Sequence, residues 1–245
     1  MKKIVKYFAL CLAFAAGSAS ASLVTFYGAD NGAVSGPNST AALNNFLAAT
    51  DSSSLINFQG VGNNPGNVAN VTIGTGVTLT VTGNAGGGIV NQDQHDQLLG
   101  FNASAGGSKW LQLYPAFGSS AGATAIFTFD TAINAFGAFL TDTQLGFPGN
   151  ITLAFNDGTS QSLGITKNAS NGGVLFFGFT DIGKSFTSVT INTGATSSTR
   201  DIFGIDDVRF SAAPAATVPE PASLALLGLG LIGIAATRSK NLKQS

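Results

Sequence analysis

The chain has 245 residues, 11 Lys and Arg against 12 Asp and Glu, and one cysteine. That length holds one domain, or two at most. Between Ser22 and Thr217 five basic residues stand against eleven aspartates, a net charge of −6, which excludes the positive footprint of a nucleic-acid binder.

The first 21 residues read as a secretory signal peptide. Lys2, Lys3 and Lys6 make a basic front, Ile4 to Ala16 is mostly apolar, and Ala19-Ser20-Ala21 is a small-x-small cleavage site for signal peptidase. Cys11 lies inside the apolar run, outside any lipidation box. Its removal leaves a body without disulfide, thiolate nucleophile or cysteine-based metal site.

Residues 22–211 form the predicted ectodomain. "STAALNNFLAAT", Ser39 to Thr50, is predicted as a short helix capped by Ser39 or Thr40, with Leu43, Phe46 and Leu47 on one face. Elsewhere the apolar period is two. "VTLTVT" alternates Val77, Leu79 and Val81 with threonines, and Ile151, Leu153 and Phe155 lead into a hairpin turn at Asn156-Asp157-Gly158. Further segments of this kind raise the total to about ten to twelve strands. Phe203 and Ile205 share one parity, and Val208 and Phe210 the other, so a bulge is expected at Gly204. The expected fold is all-β: a two-sheet antiparallel sandwich, jelly-roll-like, with one short helix and phenylalanines filling the core.

Residues 212–218 read as a linker. Residues 218–245 combine Val218-Pro219-Glu220-Pro221-Ala222-Ser223, an apolar helix over 222–237, and a basic stop of Arg238, Lys240 and Lys243. The fifteen uncharged residues from Ala222 reach roughly 22 Å as a helix, short of a hydrocarbon core of ~30 Å, which suits a transient stop better than a permanent anchor. The basic end stays cytoplasmic and the body faces outward. Pro219 and Pro221 hold the strip extended for a protease.

This tail resembles the PEP-CTERM sorting signal of Gram-negative bacteria. The resemblance implies cleavage by an exosortase in the inner membrane, transient anchoring there, and delivery to the cell surface or extracellular matrix with links to exopolysaccharide and biofilm. The body, in "FLAATDSSSLINFQG", "GSKWLQLYP" and "FGIDDVRF", resembles the lectin-like jelly-roll ectodomains found before such signals. Relatives carry acids around "NFQG", where this chain has Asn57 and Gln59.

Catalysis finds little support in the residues. His95, the single histidine, sits in the polar loop "NQDQHDQLL" beside Asp93 and Asp96, with no Gly-x-Ser-x-Gly elsewhere. One histidine without cysteine is a poor zinc set. Calcium is the more plausible cofactor, with Asp30, Asp206 and Asp207 as candidate ligands between first and last strands. Trp110, Gln112 and Tyr114 share one face of "KWLQLYP", and form a candidate sugar-stacking platform if Leu111 and Leu113 point inward. The expected function is non-catalytic, structural or adhesive, in an extracellular polysaccharide matrix. The alternative is a carbohydrate-binding module with a defined glycan ligand.

Overall fold

A computed structural model describes residues 23–50, 53–91, 99–116, 122–143, 151–155, 158–163, 172–181, 184–193 and 201–213. The signal peptide, the His95 loop, the turn residues Asn156 and Asp157, and the whole sorting signal lie outside the described residues. The described body is all-β and antiparallel with one helix, as the period-two pattern predicts.

The strand β8, Thr124–Thr141, organises everything else. Its first half runs between β5 (Val77–Thr82) and β12 (Phe186–Asn192), with β4 (Val68–Gly74) beyond β5, and β9 (Ile151–Phe155) and β10 (Ser160–Leu163) beyond β12. Its second half runs between β11 (Val174–Thr180) and β13 (Phe203–Ala212). β1 (Val24–Asp30) lies outside β11. The far edge of β13 carries β2 (Ser54–Ile56) and β7 (Lys109–Leu113), followed by β6 (Gly88–Asn91) and β3 (Asn64–Pro65).

Between the halves β8 turns a corner. β12 pairs Phe186 with Ile133 but Ser188 with Thr128, so Phe129 to Ala132 fall out of register. The corner folds the strand onto itself. Phe127 and Phe136 would stand roughly 30 Å apart in a straight strand, yet their ring centroids are 5.4 Å apart. Two faces therefore enclose one core, as expected of a sandwich, but they form a single hydrogen-bonded network because they share β8. Leu79, Phe127, Val189 and Ile191 meet Leu111, Leu140, Phe177, Phe179, Phe203 and Ile205 inside it. Each such burial contributes about 1.5–3 kcal/mol before entropy is counted.

The helix α1, Pro37–Ala48, packs on the outer side of β1 and β11. Phe46 stands 5.8 Å from Phe26 and 5.6 Å from Phe176, over Ala42 and Ala135. Gly28 permits this approach: a Cβ there would sit 2.1 Å from the Asn38 carbonyl oxygen. The expected cap is corrected. The helix begins two residues before Ser39, with Pro37 in the first turn, and its N-cap residue Gly36 has no side chain to offer. Asp30 does the capping from the end of β1. Its Oδ1 accepts from the Asn38 N–H at 3.2 Å, and its Oδ2 from the Ser39 N–H at 2.8 Å and Ser39 Oγ at 2.7 Å.

The expected bulge in the last strand exists but lies three residues later. Gly204, Ile205 and Asp206 pair in step with Thr141, Leu140 and Phe139, and the register then slips before Arg209. Asp207 takes the left-handed conformation there, φ 47°. The extra residue brings Val208 to the same core as Phe203 and Ile205, with Phe210 packed against it. Gly204 serves another purpose, since a Cβ on it would meet Thr141 Oγ1 at 2.3 Å and Trp110 Cε3 at 2.9 Å.

Candidate functional site

Alternation along β13 turns Asp206 away from the core that Ile205 enters, onto the outer face of the sheet. The segment 99–108 lies over it, held by Thr141 and by Asp206 itself. Thr141 Oγ1 accepts from the Phe101 N–H at 2.9 Å and donates to the Phe101 carbonyl at 2.8 Å. Asp206 Oδ2 accepts from Asn102 Nδ2 at 3.0 Å, the Ala103 N–H at 2.8 Å, the Ser104 N–H at 3.0 Å and Ser104 Oγ at 3.1 Å. The left-handed turn at Asp207 swings its carboxylate to the same side, where Oδ1 lies 2.5 Å from Ser104 Oγ. One hydroxyl proton thus stands between two carboxylates.

The electrostatics of the pair are unbalanced. Asp206 is fully buried, and Oδ1 has no hydrogen-bond partner among the described residues. Burial, reinforced by the charge of Asp207, pushes its carboxyl up to about 7, although the N–H groups of Asp207, Ala103 and Ser104 pull the other way. Near the pair one amide of "NFQG", Gln59, ties the end of the same segment down. Gln59 Nε2 donates to the Lys109 carbonyl at 3.0 Å, and its Oε1 accepts from the Ser108 N–H at 3.0 Å. Lys109 Nζ donates to the Val61 carbonyl.

The calcium set is not assembled. Asp30 and Asp206 belong to strands separated by β11 and β8, about 14 Å of sheet at ordinary strand spacing. The Asp30 carboxylate is committed to the helix cap. Its hydrogen bonds from Ser39 and Asn38 outweigh burial, which acts the other way, and hold it below the usual carboxylate range. Among the described residues no group of three His, Cys, Asp or Glu converges on one point.

The stacking platform is corrected as well. Leu111 and Leu113 do point into the core, and Trp110 does lie on the opposite face of β7. That face is covered. Trp110 has 0% exposure, wedged beside Gly204, and its indole N–H has no partner among the described residues. Gln112 is buried and donates to the Leu99 carbonyl at 3.0 Å, and only Tyr114 keeps part of its surface. Alternation predicts the face of a strand, not whether a loop lies over it. Asn102, Ser104 and Thr141 escaped notice because only the fold brings them to Asp206.

A second feature lies at the opposite margin of the same layer. A cavity of about 590 Å³ opens between β1 and α1. The helix supplies Asn38, Ala41, Ala42 and Asn45, a single stripe at helical spacing, the strand supplies Thr25 to Ala29, and the turn after it supplies Asn31. None of these residues is charged. Tyr27 is 47% exposed, and partial burial raises its phenol above the ordinary value.

Comparison with known proteins bears on the two ends of the problem differently. Residues 217–240 match the PEP-CTERM protein-sorting motif. The chain is thus exported with a C-terminal sorting signal that is processed at the membrane, and exosortase is the processing partner. No curated protein matches the chain significantly. Among solved structures the body is similar to the K2 cleaved adhesin domain of Lys-gingipain (Kgp), at 14% identity over 66% of this chain and 99% of that one, with a TM-score of 0.38.

Proposed function

We propose that the chain is a structural or adhesive protein of an extracellular polysaccharide matrix, with no catalytic role, delivered to the surface of a Gram-negative cell by exosortase. The sorting motif at 217–240 is the observation that carries this reading, because it commits the body to work outside the membrane. The chemistry of the body supports it. Its two best-defined carboxylates are spent on construction, Asp30 in holding the helix and Asp206 in holding the segment 99–108. An acidic, cysteine-free body relies on packing rather than on covalent bridges, and Phe127, Phe136, Phe177 and Phe179 provide that packing.

The test is location. In the native host the protein is followed with antibody in membrane, cell-surface and matrix fractions, with and without exosortase. The expected result is a matrix form whose mass shows the tail removed, and retention of the full-length chain in the membrane when exosortase is absent. An intact C-terminus at Ser245 in the matrix, or an unchanged distribution, overturns the reading.

A further inference from the structure

We propose that the groove between β1 and α1 is a binding site for a neutral oligosaccharide. This rests on the extracellular-polysaccharide reading above and moves the ligand site from the buried Trp110 to the opposite margin of the layer. The cavity, about 590 Å³, is of the size that holds a small ligand.

Its walls match hydroxyl-rich, uncharged rings. Asn31 and Asn45 are exposed, and their side chains carry no hydrogen bond among the described residues, so each offers a donor and an acceptor together. Asn38 gives its Nδ2 to Asp30 and to the Ala29 carbonyl, which leaves its own oxygen as an acceptor. β1 pairs with β11 on one side only among the described residues. Tyr27, half exposed, adds aromatic surface at the rim.

Among the described residues no Asp, Glu, Lys or Arg lines the cavity, so none of them neutralises an anionic or cationic ligand there. The nearest carboxylate, Asp30, is buried and engaged with the helix. A peptide strand added to β1 would satisfy the edge and leave the helix amides idle. The stripe Asn38, Ala41, Ala42 and Asn45 therefore favours the sugar.

The test uses the full chain solubilised in detergent. Calorimetric titration is run with cellohexaose, maltohexaose and mannohexaose as neutral probes, hexagalacturonate as an anionic one, and an extended Thr/Val hexapeptide. Ala41→Trp fills the groove from an exposed helix position, and Asn31→Ala with Asn45→Ala removes the amides; thermal melts confirm that both variants fold. Saturable binding of a neutral hexasaccharide, weakened about tenfold or more by each variant, supports the site. Tighter binding of the anionic probe or the peptide, no binding of any neutral probe, or affinity unchanged in the variants overturns it. Matrix retention is measured in parallel on Ala41→Trp. A wild-type chain that is retained in the matrix yet binds no neutral hexasaccharide removes the site and leaves the matrix role standing, whereas wild-type delivery that does not depend on exosortase removes the role itself.

Discussion

Phe127 and Phe136 belong to one strand, and their rings touch across the core at 5.4 Å. The contact exists because β8 turns back on itself between Phe129 and Ile133, so that a single segment lines both sides of the interior. Phe136 also stands 6.1 Å from Phe177 and 6.2 Å from Phe179.

Phe136→Ala is therefore expected to cost about 3–5 kcal/mol, the usual range for a large aromatic removed from a packed core. Urea denaturation followed by circular dichroism measures it. A loss under 1 kcal/mol would mean that the two halves of β8 do not meet as described.

Asp206 gives a pH dependence of definite sign. Its carboxyl holds a proton up to about 7 in the folded chain against 3.8 ordinarily. Between those values the folded state binds a proton that the unfolded chain has released, so stability falls as pH rises through the window, by up to about 1.4 kcal/mol per pH unit. Asp206→Asn removes this slope. Denaturation midpoints from pH 4 to 8, parallel in the two proteins, would count against the assignment.

Asp30 acts in the opposite direction. Its carboxyl is held below its ordinary 3.8, so its contribution is present above that value and is lost as pH falls through the lower, folded value. Asp30→Ala is expected to destabilise by about 0.5–2 kcal/mol at neutral pH, as for the loss of other helix caps. Hydrogen exchange at Asn38 and Ser39 should accelerate in the variant, and unchanged protection there sinks the capping role.

Trp110 is the single tryptophan, which makes burial directly observable. Its emission should be blue-shifted and resist acrylamide. Gly204→Ala would place a methyl 2.9 Å from its ring and 2.3 Å from Thr141 Oγ1, so a red shift and a lower melting temperature are expected together. A wild-type spectrum typical of a solvated indole would restore the outward platform.

Much of this architecture was legible in the residues. Alternation found β5, β9 and β13, Asp157-Gly158 marked the hairpin between β9 and β10, and the parity change between Ile205 and Val208 demanded a bulge. Its position was not legible, because Gly204 advertises flexibility but is needed for close approach, while Asp207 takes the left-handed turn. The helix was readable from Leu43, Phe46 and Leu47, but its cap was not, since Asp30 reaches it from another element. Trp110 shows the same limit: strand period gave its face correctly, and the segment 99–108 decided its exposure. The groove beside β1 depends on a helix and a strand edge coming side by side, and no linear motif records that.

The corner in β8 has a mechanical meaning. Tension reaching the body through Ala213 enters β13 along its length and loads its hydrogen bonds with β8 in shear, many at once rather than one by one. β8 then carries the load around the corner, between β5 and β12. A layer that shared no strand with its neighbour could peel away alone under such a pull. Here neither can yield without dragging on the other, so the body meets force as one piece.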